Sequence, residues 1–256
     1  MMPKEKPITR DQLDQCIDRA IRWQGWNANL NHIDTSMIWY MSNLFCDLPE
    51  FNGDISEWNV SKVIDMNSMF KKSCFNGDIS KWDVSNVQNM SYMFELSKFN
   101  QPIGEWNVSN VKNMECMFKS CPFNQDIGEW NVSNVEKMNH MFERSEFNQP
   151  IGAWNVSNVK NMDYMFMASP FDQDISEWNV GNVENMLSMF RHSQFTGDVS
   201  LWPPAKDEPR FISFMKTERS RETTFLSLSD YQDLRPQKRL RKRYLQDQAQ
   251  KEITAL

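Results

Sequence analysis

Phe75-Asn76-Gly77-Asp78-Ile79-Ser80-Lys81-Trp82-Asp83-Val84-Ser85-Asn86-Val87-Gln88-Asn89-Met90-Ser91-Tyr92-Met93-Phe94 reads as one turn of a pattern that recurs along most of the chain. Phe51, Phe75, Phe99, Phe123, Phe147, Phe171 and Phe195 stand 24 residues apart, and so do Trp58, Trp82, Trp106, Trp130, Trp154, Trp178 and Trp202. Two methionine columns, from Met66 to Met186 and from Met69 to Met189, keep the same step, as does the phenylalanine column from Phe70 to Phe190. Self-similarity at a period of 20–50 residues marks a repeat architecture, in which one unit cannot bury its apolar face alone and needs neighbours stacked on it. A degenerate unit precedes these: Ile33-Asp34-Thr35-Ser36 aligns with Trp58-Asn59-Val60-Ser61, and a one-residue insertion follows before Phe51.

Within the unit, Ile79, Trp82 and Val84 have the spacing of the L-x-x-L-x-L core of a leucine-rich repeat. The alternation Trp82-Asp83-Val84 predicts a short strand with Trp and Val inward. Ser85 stands where a helix N-cap belongs, and Val87, Met90, Met93 and Phe94 then follow with the spacing of one face of a helix or helical turn. The expected fold is therefore an α/β repeat solenoid, leucine-rich-repeat-like, with one short strand and one short helix or helical turn per 24-residue coil. Asn52, Asn76, Asn100, Asn124 and Asn148 are expected to form a hydrogen-bonded ladder that satisfies backbone groups of the connecting turns.

Three segments are expected: 1–30, an N-terminal capping helix; 31–202, a solenoid of about seven coils; and 203–256, a C-terminal cap and basic tail. Thr9 and Gln12 form a T-x-x-Q capping box, and Leu13, Cys16, Ile17, Ala20 and Ile21 line one apolar face up to a stop at Gly25. Pro203-Pro204 ends the repeat. The tail holds twelve Lys and Arg against eight Asp and Glu, a net +4, so the rest of a chain whose total is −6 carries −10.

Chemistry is hard to place in such a pattern. His32, His140 and His192 are far apart in sequence, and no nucleophile-elbow, zinc-protease, phosphate-loop or dinucleotide motif is present. His140 falls in a column that elsewhere holds Ser, Tyr or Cys, which predicts a surface position. Asp54, Asp78, Asp126, Asp174 and Asp198 recur at one turn position, yet Pro102 and Pro150 interrupt the column and offer no side-chain oxygen, so no metal and no cofactor is expected. The methionine columns have core spacing rather than that of an adaptable groove. Cys16, Cys46, Cys74, Cys116 and Cys121 are odd in number and out of register, which predicts free thiols in a reducing compartment. Without a run long enough for a membrane span or the apolar core of a signal peptide, the expected location is intracellular, with a specialised secretion route as the way out.

What remains is surface. With Trp and Val inward, Asn59, Asp83, Asn107, Asn131, Asn155 and Asn179 point outward, and Glu57, Lys81, Glu105, Glu129 and Glu177 run beside them. This polar, mildly acidic face is the expected site for a protein partner with basic or hydrogen-bonding groups. The alternative contact is the cluster Lys238, Arg239, Arg241, Lys242 and Arg243, as a localisation signal or a contact to nucleic acid or an anionic membrane, with the repeat as spacer.

The run FNQDIGEWNVSNVEKMNHMF (Phe123–Phe142) resembles the BspA-type leucine-rich-repeat family, whose units carry W-x-V-S-x-V-x-x-M-x-x-M-F. The resemblance extends over about residues 30–202. It implies a solenoid and a role in adhesion or protein binding, and it brings no catalytic residues. Members of that family are mostly bacterial surface or secreted proteins, with relatives in some protists and viruses; this chain differs in having no visible signal peptide or anchor.

Overall fold

Thr9 opens α1, Arg10–Gln24, the one α-helix among the described residues. The capping box forms as expected: the Gln12 backbone N–H donates to Thr9 Oγ1 at 3.3 Å, and Gln12 Oε1 accepts the Thr9 N–H at 3.3 Å. Gly25 closes the helix at φ 80°, a conformation that costs glycine nothing, and its N–H donates to Ile21 O at 2.7 Å. Leu13, Cys16, Ile17 and Ala20 are buried, while Ile21 is only half-buried.

This computed structural model describes residues 4–200 and Trp202. The chain divides into Met1–Thr217 and Glu218–Leu256, and all described residues belong to the first unit. The expected C-terminal cap and the cluster from Lys238 to Arg243 lie outside the described residues.

From residue 40 onward, each 24-residue coil is bonded to the next. Parallel bridges join Asp65 to Asn89, Asn89 to Asn113, Asn113 to Lys137, Lys137 to Asn161 and Asn161 to Asn185. The bridge from Tyr40 to Asp65 spans one residue more, at the insertion read from the sequence. The ring columns lie inside the stack. From Phe45 to Phe190, successive rings are 5.6–5.8 Å apart, centroid to centroid. From Phe51 to Phe195, the step is 6.0–6.3 Å. The two columns meet face to face, as at Phe118 and Phe123, 4.0 Å apart. The indoles form a third file, with Trp130 6.5 Å from Trp154. The Trp130 Nε1–H donates to Ile103 O of the preceding coil at 3.1 Å, and the other indoles repeat that bond. The buried Met90, Met93, Met114 and Met117 bear out the reading of the methionine columns as core.

Two local expectations give way. Trp82 and Val84 are buried and Asp83 exposed, as the alternation requires, but the bridged position is Asn89, not this segment. Asp83 Oδ1 instead accepts the Ser85 N–H at 3.1 Å and turns the chain, so Ser85 caps no helix. Nor is the segment after Val87 helical. The N–H groups of Met93, Glu95 and Ser97 donate three residues back, to Met90, Tyr92 and Phe94. The alternate N–H groups of Met90, Tyr92, Phe94 and Leu96 cross to Asn113, Glu115, Met117 and Lys119 of the next coil, at 2.8–3.0 Å. Tyr92 and Leu96 have φ of 59° and 57°, the positive value that a type II turn places at its third residue and an α-helix of L-residues avoids. A ribbon of four-residue turns sends i, i+3, i+4 and i+7 inward just as a helical turn does, so the sequence pattern fits both. What decides is that each ribbon finds half of its hydrogen-bond partners in the neighbouring coil.

That geometry reverses the usual effect of glycine. Ala168, exposed and at φ 54°, sits at the strained position of its turn. Ala168→Gly is expected to raise unfolding stability by about 0.5–1 kcal/mol, since relief of left-handed strain outweighs the added freedom of the unfolded chain. In a helix the same change costs about 1 kcal/mol, so the sign of the shift in urea midpoint separates the two conformations.

Candidate interaction surfaces

Glu57, Asn59, Lys81, Asp83, Glu105, Asn107, Glu129, Asn131, Asn155, Glu177 and Asn179 are all exposed. They lie on turns rather than on a strand. Each Asn or Asp in the column accepts, through Oδ1, the backbone N–H two residues on, as Asn131 does from Ser133 at 3.2 Å and Asn179 from Gly181 at 3.2 Å. Beside them runs a second file that the sequence reading missed. Asn86, Asn110, Asn134, Asn158 and Asn182 each donate Nδ2–H to the serine carbonyl of the preceding coil at 2.7–2.8 Å. The Asn52 to Asn148 ladder is present as expected, with each Oδ1 accepting the backbone N–H one coil later at 2.8–2.9 Å. Asp54, Asp78 and Asp174 sit in the turn column that Pro102 and Pro150 interrupt. At Asp78 and Asp174 the backbone N–H of the serine two residues on holds the carboxyl below its ordinary range. At Asp54 burial pushes the other way and is outweighed by the hydrogen bonds from Ser56. Among the described residues, no three His, Cys, Asp or Glu side chains are grouped to hold a metal ion.

The chemically richer surface lies on the turn ribbon. At its positive-φ position the coils place Ser68, Tyr92, Cys116, His140, Tyr164 and Ser188 in succession, and three residues further on Lys71, Glu95, Lys119, Glu143, Met167 and Arg191; of these Ser68, Cys116, Glu143 and Ser188 are buried, Arg191 is exposed and the rest are half-buried. Stacking brings opposite charges together: Lys71 lies 2.8 Å from Glu95 and Lys119 2.7 Å from Glu143. The Tyr92 hydroxyl donates to Glu115 at 2.6 Å, and the Lys71 ammonium sits 4.9 Å from the Tyr92 ring centroid. His140 Nδ1 is 2.6 Å from Glu143, and its ring stacks on Tyr164 at 4.8 Å. Burial raises the Tyr92 phenol and the bond to Glu115 adds to the rise; burial also pushes the Cys116 thiol up to about 12. Cys16 and Cys121 are likewise pushed up to about 11, chiefly by burial, and all five cysteines are free thiols. His140 is half-buried within this network rather than simply on the surface. The signal for the ridge is present in the sequence as variation: these columns change chemistry at every step, while the Trp, Met and Phe columns hold constant.

Glu143 links the ridge to pH. Burial pushes its carboxyl up, but the hydrogen bonds from Lys119 and His140 outweigh this and carry it below its ordinary value of 4.5. A group depressed in the folded state contributes stability above its unfolded pKa and loses it as pH falls through the folded value. Glu143→Gln is therefore expected to destabilise the protein at neutral pH, with the gap between the two urea midpoints narrowing below pH 4.5. A gap independent of pH would contradict the pairing.

This is a tandem-repeat protein whose 24-residue coils share one interior and whose turn ribbon carries a column of varying, mostly half-buried side chains. The chain belongs to the family described as "Mycoplasma protein of unknown function, DUF285", whose model matches residues 13–122 and again 119–221. No curated protein and no solved structure matches it. Among the described residues, no helix is long and apolar enough to cross a membrane.

Proposed function

We propose that the chain is a non-catalytic, protein-binding solenoid of leucine-rich-repeat type, whose partner is read by the ridge from Lys71 to Tyr164. The observation that carries this reading is a division of labour. Buried rings and backbone bonds hold the frame and recur almost unchanged, while the ridge columns change chemistry from coil to coil. A mixed surface of phenols, an imidazole and paired charges suits a protein partner, since such groups supply both hot-spot contacts and charge-based selectivity. The resemblance to the BspA-type family supports a binding role in general terms. The exposed Asn and Glu face is the competing contact surface, and its uniformity gives a partner less to discriminate.

The test places a photoreactive benzoyl-phenylalanine at position 164, or at position 83 on the competing face, in the full chain expressed in its native cells. The expected result is a discrete cross-linked adduct from position 164 that disappears when Glu115→Lys and Lys119→Glu are added. An adduct from position 83 alone, or from neither position, would overturn the reading.

A further inference from the structure

Five Asn-x-Ser triplets occur in the chain, at Asn59, Asn89, Asn107, Asn131 and Asn155. Asn-x-Ser, with x other than proline, is the acceptor pattern for attachment of a glycan to the asparagine amide. Four of the five, all Asn-Val-Ser, fall at one structural position. Asn59, Asn107, Asn131 and Asn155 are exposed, while the valines between, Val60, Val108, Val132 and Val156, are each 1% exposed and anchor the turn in the core. Each asparagine uses its Oδ1 to accept the serine N–H, at 3.1–3.2 Å. At Asn59, Asn131 and Asn155 the serine hydroxyl donates to the same oxygen at 2.7 Å. The amide nitrogen of each of the four, on an exposed residue, makes no hydrogen bond to another described residue, and at Asn59, Asn131 and Asn155 the required hydroxyl is already beside the carboxamide.

We propose that Asn59, Asn107, Asn131 and Asn155 are N-glycosylation acceptors, repeated at one register position along the stack. The donor is an oligosaccharide on a polyprenyl pyrophosphate, delivered by an oligosaccharyltransferase on the exported face of a membrane, so the proposal requires the chain to leave the intracellular compartment expected from its sequence. The asparagine nitrogen forms a bond to the anomeric carbon, the bond from that carbon to the pyrophosphate oxygen breaks, and the amide proton is taken by a base of the transferase. Nothing is oxidised or reduced. The sites lie on the Asn and Glu face, so the proposal stands or falls separately from binding at the ridge.

The fold supplies its own controls. Asn89-Met90-Ser91 has the triplet, but Asn89 is held in bridges to Asp65 and Asn113, and Ser91 is 3% exposed. Asp83-Val84-Ser85 and Asn179-Val180-Gly181 have the same turn and each lack one half of the pattern. Neighbouring indoles one coil apart are 6.5 Å from centre to centre, a step that crowds glycans on adjacent coils. The expected product therefore carries a glycan on Asn59 and on alternate members of the set 107, 131 and 155.

The folded full-length chain is incubated with a purified oligosaccharyltransferase and lipid-linked oligosaccharide, then digested and mapped by mass spectrometry. Glycan mass is expected on Asn59 and in the 107–155 set and absent from Asn89; it is lost at Asn59 in S61A, which keeps the backbone bond of the turn. D83N is expected to gain a glycan at position 83 once S61A and S109A remove the acceptors on the two flanking coils. The proposal is overturned if none of the four sites is modified while the urea-unfolded chain is, or if Asn89 is modified as fully as Asn59.

Discussion

Phe118→Ala is expected to cost about 3–5 kcal/mol of unfolding stability, the range found when a buried phenylalanine is cut back to a methyl group. Phe118 has no exposure to solvent, lies 4.0 Å from Phe123, and continues the file between Phe94 at 5.7 Å and Phe142 at 5.8 Å. The hole opens between two coils rather than inside one, so both neighbouring interfaces lose packing, and in a stack held by nearest-neighbour contacts that loss is cooperative. Phe195→Ala, at a ring 8% exposed, is expected to cost less. Urea titration of both variants checks the ranking. A loss below about 1 kcal/mol at Phe118 is the value for a lightly packed side chain and would contradict a shared interior.

Asn124→Leu is expected to cost about 1–3 kcal/mol, from a different cause. Asn124 Oδ1 accepts the Asn148 N–H at 2.9 Å and the Gln149 Nε2–H at 3.1 Å, so leucine leaves the Asn148 N–H without its acceptor and Gln149 Nε2 with only its bond to the Asn124 carbonyl at 3.2 Å. The chain holds its own control, because Asp172 occupies the same column and accepts the Thr196 N–H at 2.6 Å. Asn124→Asp, which keeps the oxygen, is accordingly expected to lose much less than Asn124→Leu. Equal losses for the two would place the effect in shape rather than in the hydrogen bond.

The parts of this architecture that were legible in the sequence are those set by a single column. The Phe, Trp and Met files announce their 24-residue step directly, and their burial follows from residue type. The Thr9 and Gln12 box and the Gly25 stop are local signals that no neighbour overrides, so α1 could be placed nearly to the residue. The Asn52 to Asn148 ladder followed from asking where turn backbone groups find partners. What the sequence did not distinguish is the turn ribbon from a helix, because both put Met90, Met93 and Phe94 on one side. The difference lies in bonds to residues 23 positions away, such as Phe94 to Met117, which no local pattern encodes. The ridge was missed for a related reason. Tyr92 and Glu115, or Lys119 and Glu143, become partners only once the register between coils is known. Similarly, Asp83 looked like the outward residue of a strand, but its carboxylate finds the Ser85 N–H and makes a turn there instead.

Alternate ribbon N–H groups leave their own coil and bond to the next. The most direct test is scalar coupling across the hydrogen bond, measured by nuclear magnetic resonance on the uniformly labelled, deuterated chain. Coupling is expected between the amide nitrogen of Phe94 and the carbonyl carbon of Met117, whose oxygen lies 2.9 Å away. Coupling from Phe94 to the carbonyl carbon of Met90, the partner that an α-helix would give it, would instead show a helix closed within one coil.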